Sequence, residues 1–460
     1  MNSALLKFNS YLLYLIPASL VTGPFLPDLF VVISGIIFIY LAIKNKEYVY
    51  FKHPLFIIFI IWCLYLIIRS LLSSDPYLSL ESSLFYFRFG FFALSICYTI
   101  NNVQNFLKIF TWIFSITFLV VLVDGYIQFF TGYNSLGFSL FYQNPTETGL
   151  GSLHRLSGFF GEQLILGSYL SRLLPVIFAL ITVQYGNSKY MVIVGLVLLI
   201  STDVLVFISG ERSAFFYLIL SSLVIVIFVR KWRKLRISTL IFSLIIIVVI
   251  SITNEQIRKR MVDFTLEQLN VKSFLLSDNE KSQKKELSNK TNLQGYLDGT
   301  LTLEESNILG NKLAAFSWHH QQHYESALKM FAHNPLVGIG PKMFRIKCHD
   351  EKYSYNTEYG CSTHPHNLYI QLLAETGLIG FIPVFFAFLY ICYIFLKQIW
   401  HSATGNRSFL ISDYKICLFT SLFVSLWPFI PTGSVFNNWL GVIYFMPVGF
   451  LLAKEENLFK

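Results

Sequence analysis

The stretch HPHNLYIQLLAETGLIGF, residues 364–381, opens on two histidines around a proline and runs into an apolar segment with two glycines. Pro365 suits the first turn of a helix, which predicts a span starting at about His366. Asn367, Gln371 and Glu375 follow at i, i+4 and i+8, a polar stripe running two turns into an otherwise apolar helix. Such a stripe must face protein or water and not lipid. Gly377 and Gly380 then permit close packing by a neighbouring helix. The stretch therefore reads as one membrane helix packed among others, with His366 at a membrane boundary.

The rest of the chain agrees. Of 460 residues, 54% are hydrophobic and only 13% charged, against about 25% charged in a soluble domain. The 46 Phe and 26 Tyr fit broad lipid contact with interfacial aromatics. The fold class expected is an all-α polytopic membrane protein. Apolar runs long enough to span occur near 8–22, 27–43, 54–73, 83–100, 107–130, 163–183, 189–208, 213–229, 237–253, 366–397, 413–430 and 433–453. That makes about 12 transmembrane helices, the first being retained and not cleaved as a signal peptide.

Charge placement orients them. With the N-terminus inside, the inner connections are KNKEYVYFKH (44–53), NNVQNFLK, YGNSKY, VRKWRKLR (229–236), KQIWHSATGNR and the tail KEENLFK, whereas the short outer connections GPFLPD, SSDPYLSLESS and FIPTG lack Lys and Arg. Both termini are then cytoplasmic. The net charge of +9 reflects those inner loops, and no nucleic-acid partner is expected. Three parts follow: residues 1–253 with about nine helices, a large outer loop at 254–365 with a mobile polar insert near 275–310, and residues 366–460 with about three helices. The loop ends in SWHHQQHYESALKMFAHNPLVGIGPKMF, an amphipathic helix stopped by Asn-Pro before a Gly-rich turn. Cys63, Cys97, Cys392 and Cys417 lie in apolar runs and read as packing residues. Cys348 and Cys361 flank a polar stretch and are candidates for a disulfide in an oxidising compartment.

Five arginines fall on the side that the bias disfavours: Arg69, Arg88, Arg155, Arg172 and Arg212 all map to the outer half of the membrane. A charge at mid-membrane costs about 2.5–3.5 kcal/mol on insertion scales. Snorkelling relieves Arg69 or Arg88 taken singly, and ion pairing with Asp124, Glu162, Asp203 or Glu211 is the competing explanation for the set. Guanidinium forks suit phosphate bidentately, so the cluster points to a phosphorylated lipid head group. His366, level with these arginines, could take a proton from a hydroxyl, with His364 as second choice. A cap or a hydrogen bond at the helix start is the plainer role for such a histidine. His319, His320 and His323 raise a metal site, but no HExxH or second ligand cluster accompanies them, and none is expected.

These residues carry a family resemblance. His366-Asn367, nine residues, then Gly377-x-x-Gly380 resembles the motif that bacterial O-antigen ligases place after their large periplasmic loop. SGERSAFF (209–216) resembles the family's Arg-containing helix start, though Phe216 stands where ligases carry leucine. HNPLVGIGPKMF (333–344) is similar to the segment before the histidine, and VDGYIQFFTGYNSLG (123–137) and RLSGFFGEQLILGSYL (155–170) look like polymerase-type members. The resemblance spans roughly residues 120–385. It implies a bacterial inner-membrane glycosyltransferase, metal-independent and without cofactor, that inverts the anomeric centre on the periplasmic face. The donor would be a glycan on undecaprenyl diphosphate and the acceptor a glycan or lipid A-core hydroxyl. By position, Arg212 would contact the donor diphosphate and His366 would be the base. Arg155, Arg88 and Arg172 are further candidates for the diphosphate, with Asn367, Gln371 and Glu375 in support. A flippase for the same lipid and a protein O-oligosaccharyltransferase are the alternatives. The absence of an Asp-x-Asp pair and of a Walker A motif favours a lipid-linked donor.

Overall fold

The computed structural model describes residues 2–143, 153–185, 189–263, 265–266, 318–353, 360–405 and 410–457. The expected polar insert near 275–310 lies outside them, as does the side chain of His319. The chain starts with helices α1 (Asn2–Ser19), α2 (Phe25–Lys44), α3 (Pro54–Leu71), α4 (Pro76–Ser83), α5 (Arg88–Asn102) and α6 (Phe106–Thr131). After a short antiparallel hairpin, β1 (Phe141–Gln143) with β2 (Leu153–Arg155), come α7 (Leu166–Tyr185), α8 (Lys189–Ile208), α9 (Arg212–Phe228), α10 (Arg233–Thr253) and α11 (Glu255–Arg258). The outer segment holds α12 (Trp318–His333) and α13 (Phe344–Lys347), and the chain closes with α14 (Leu368–Ala403), α15 (Asp413–Ser425) and α16 (Asn438–Leu452).

Local chemistry sets these boundaries. Pro54 and Pro76 occupy first turns, where the missing N–H costs nothing, and the Asp75 carboxylate caps α4 by accepting from Leu78 N. Asn437 and Ser412 cap α16 and α15 in the same way. Gly132, at φ 84°, ends α6 in the left-handed conformation.

Among the described residues seven helices are long and apolar enough to cross a membrane, and three shorter apolar ones accompany them at 193–208, 212–228 and 438–452. The twelve runs read from hydropathy thus resolve less evenly than expected. The run at 83–100 falls mainly on α5, and the span that contains it starts earlier, at Pro76, with α4 and a turn after Ser83 ahead of α5. The run at 366–397 starts at Leu368, because Asn367 is the cap and not a helical residue.

Helix α7 is the centre of the bundle, with α6, α8, α9 and α15 against it and Leu170, Leu173, Leu174, Val176, Ile177 and Ala179 fully buried. Helix α5 packs between α2 and α16. Helix α10 is peripheral: Ile241, Phe242, Leu244, Ile245 and Val248 are exposed, which in a multi-pass membrane protein is the lipid-facing surface. Its inner face carries a buried ion pair. Arg236 grips Asp203 of α8 bidentately at 2.8 and 2.9 Å, and Ser243 donates to the same carboxylate.

Candidate functional site

Helix α14 begins where Asn367 turns the chain. Its side-chain oxygen accepts from Tyr369 N and Ile370 N, and its amide donates to Pro428 O at 2.7 Å. His366 precedes it at φ 57°, a left-handed conformation uncommon for a side-chain-bearing residue and frequent at functional positions. Thr432 N holds the His366 carbonyl at 2.9 Å. The His366 ring lies among three others, 4.2 Å from His364, 5.3 Å from His320 and 5.4 Å from His323 between centroids. Burial, with His323 adding to it, pushes the His366 imidazole down to about 4. Burial and the neighbouring His366 push His364 down to about 3. Both rings are therefore neutral at neutral pH and able to accept a proton.

The polar stripe faces protein throughout. Gln371 donates to Glu375 and to Ser434 Oγ at 2.9 Å each and accepts from Val435 N. Glu375 accepts from Phe344 N at 3.1 Å. These side chains brace α14 against α13 and against the 434–435 turn, which is why they tolerate an apolar helix.

Gly377 does not serve a neighbouring helix, contrary to the expectation above. It breaks α14 itself, at φ 61° and ψ −168°. The segment 335–340 threads the gap: Ile339 N and Gly340 N donate to Ala374 O and Glu375 O, while Leu378 N and Ile379 N donate to Pro335 O and Leu336 O. A Cβ on Gly338 would lie 2.5 Å from the Glu375 and Thr376 backbone, so the Gly-rich turn and the glycine in the helix are two halves of one fit. Gly380 instead receives Trp62 Nε1 on its carbonyl at 2.8 Å.

The five outer arginines divide. Arg69 donates to Val337 O, Gly338 O and Leu72 O. Arg88 pairs with Asp28 at 2.7 Å and also reaches Asn438. Buried Arg172 donates to Thr432 Oγ1 at 2.9 Å and lies over the Tyr217 ring. These three are engaged by the protein's own groups. Arg155 and Arg212 do come together, with Glu211 and with Arg260, which sequence reasoning had not singled out. Burial lowers the Arg155 guanidinium, Glu211 opposing it. Burial, then Arg155 and Arg212, pushes Arg260 down to about 9, the sign of several cations sharing one poorly solvated site. Burial raises Glu211, against the pull of Arg155. Its carboxylate is spent on Gly167 N, Ser168 N and Ser168 Oγ at the start of α7. Among the described residues Glu211 is the acid that acts on these guanidinium groups, an arrangement suited to an anion.

A cavity of about 540 Å³ adjoins the histidine turn through His364. Its wall comes from the turn at 20–24, from Phe138, from Phe159–Gly161 with Gln163, from the 342–345 and 363–364 segments and from the turn at 433–439, all in segments that the charge rule assigns to the outer side. Lys342, Arg345 and His364 line it. The Sγ atoms of Cys348 and Cys361 are bonded, their Cα atoms 5.3 Å apart, tying the end of α13 to the strand of chain that presents His364. The one group of cysteine and histidine close enough for a metal among the described residues is Cys348, His349 and Cys361, and the disulfide engages both sulfurs.

Comparison with curated proteins finds no match. Residues 194–385 match the model of a protein family described as O-antigen ligase, a window that holds Arg212, Arg260, the histidine turn and the break at Gly377. Over that stretch, somewhat less than half of the chain, and with its several apolar helices, the protein is similar to O-antigen ligases.

Proposed function

We propose that the protein transfers a glycan from undecaprenyl diphosphate to a sugar hydroxyl on the periplasmic face of the inner membrane during surface-polysaccharide assembly. The observation that carries this reading is a neutral histidine turn and a three-guanidinium cluster, both with residues inside the 194–385 stretch that matches the O-antigen ligase model. The bond between the anomeric carbon and the phosphate oxygen breaks. The acceptor oxygen attacks from the opposite side, its proton passes to the His366 imidazole, and the diphosphate leaves on Arg155, Arg212 and Arg260. Positive charge offsets what develops on that leaving group. Positioning the hydroxyl in line supplies much of the remaining acceleration. Arg88 and Arg172, expected to share the diphosphate, serve in this scheme as struts. No metal is required, so a chelator should leave the rate unchanged.

Phe216 and the polymerase-like segments favour a second repeat unit as acceptor, with lipid A-core as the ligase alternative. The test is purified protein with lipid-linked repeat unit, with and without lipid A-core. Longer lipid-linked chains mark a polymerase and glycan on lipid A-core marks a ligase. His366→Ala should make neither product at normal abundance, and Arg212→Lys should be severely impaired because an ammonium lacks the fork. Near-normal product from His366→Ala removes it as the base.

A further inference from the structure

We infer that the 540 Å³ cavity seats a sugar residue of the acceptor that carries an acidic group, so that the preferred acceptor glycan is anionic. The inference rests on the glycosyltransferase reading for the word acceptor, and on the cavity alone for its charge. The volume lies within the range of ligand sites, roughly 300–1,000 Å³. Aromatic faces at Phe160, Phe436 and Trp439 stand with the amides of Gln163 and Asn437, a mixture that matches the apolar faces and hydroxyl edges of a pyranose.

Among the described residues the wall holds two cations, Lys342 and Arg345, and no carboxylate, the exposed Glu162 between Gly161 and Gln163 lying outside the lining. Lys342 has a partner, Glu81 at 2.8 Å, but that carboxylate is largely exposed and lies outside the lining. Arg345 acts at longer range on Glu81 and Glu375, but it makes no direct ion pair among the described residues, and its buried Nε makes no hydrogen bond. An arginine with a poorly solvated, unsatisfied donor calls for an anion. The donor diphosphate is not needed to explain it, since Arg155, Arg212 and Arg260 do not line this cavity. His364, also in the wall with a buried Nε2 lacking a hydrogen-bond partner, lies tilted against His366, 4.2 Å between ring centroids. An acidic residue held by Arg345 would therefore lie beside the proton acceptor.

The test measures binding and not transfer. Full-length protein in nanodiscs is titrated with a uronic-acid-containing disaccharide, its neutral hexose counterpart, the matching sugar phosphate and inorganic phosphate. The acidic disaccharide should bind at least about tenfold tighter than the neutral one. Arg345→Gln should erase that ratio and Lys342→Gln should reduce it, in each case with an unchanged melting temperature and near-unchanged affinity for the neutral sugar. Tighter binding of the sugar phosphate than of the uronate, with inorganic phosphate competing weakly, still supports an anionic sugar and fixes its acid as a phosphate. Equal affinities for acidic and neutral sugars, a ratio that survives in both variants, or inorganic phosphate binding as tightly as either sugar acid would overturn the inference. His366→Ala should keep the ratio. If that variant still transferred glycan while the ratio held, the proposed base would fail and the charged cavity would stand.

Discussion

Replacing Gly377 with alanine probes the fit between α14 and the 335–340 segment. The position has φ 61° and ψ −168°, a region open almost only to glycine, which costs a side-chain-bearing residue about 1–3 kcal/mol. The added Cβ would also lie 2.5 Å from Val337 N, a backbone atom that can retreat only if the segment withdraws. Withdrawal breaks the four backbone hydrogen bonds between 335–340 and 374–379, each contributing about 0.5–1.5 kcal/mol net. Even the low ends of these ranges give a loss of about 3 kcal/mol, more than a hundredfold in the folded population at about 1.4 kcal/mol per factor of ten. Thermal or SDS unfolding of the purified protein reads this directly. Gly195→Ala is the matched control, since a Cβ there meets nothing within 4 Å. Indistinguishable unfolding curves for Gly377→Ala and Gly195→Ala would refute the reasoning.

The pH profile of kcat/KM reports the free enzyme. With burial holding His366 near 4, the imidazole is already in its neutral, proton-accepting form across the neutral range. The profile should stay flat from pH 8 to 6, whereas a histidine at the ordinary value of about 6.5 would lose roughly three-quarters of the rate by pH 6; half-loss near 6.5 would show an unshifted group. Asp203→Asn should destabilise the bundle by about 3–5 kcal/mol by leaving Arg236 buried without its carboxylate, and an unchanged unfolding midpoint would show that the pair does not bear on stability. For Cys348 and Cys361, 13 residues apart, thiol labelling after denaturation should rise on adding reductant, and a loop near 15 residues predicts about 3 kcal/mol lost on Cys348→Ser. Equal labelling with and without reductant would mean free thiols.

What sequence could show depended on how local the cause was. The stripe Asn367, Gln371 and Glu375 was legible because helical spacing alone puts three polar groups on one face, and apolar surroundings demand that the face be covered. The helix start was missed by two residues because Pro365 and Asn367 both carry start signals and the cap geometry favoured the second. Arg88 and Arg172 looked like members of one cluster because their partners, Asp28 and Thr432, are 60 and 260 positions away. Arg260, Lys342 and Arg345 were passed over for the converse reason. They lie in a long polar segment, where a basic residue is unremarkable until packing carries it against Arg155 or into the cavity. Gly377 was read as a packing glycine, and nothing in its own neighbourhood reveals that HNPLVGIG fills the break. That glycine-rich run, 40 residues earlier, was the available signal.

Thr432 carries a consequence for how such a protein can diversify. Its N–H secures the His366 carbonyl and its hydroxyl accepts from Arg172, so the histidine inherits its coordinates from α7, the most deeply enclosed rod of the bundle. The long extramembrane stretch supplies lining and charge to the cavity, while the placement of His366 is anchored elsewhere. Loop residues can drift toward new sugars without dislodging the chemistry they serve.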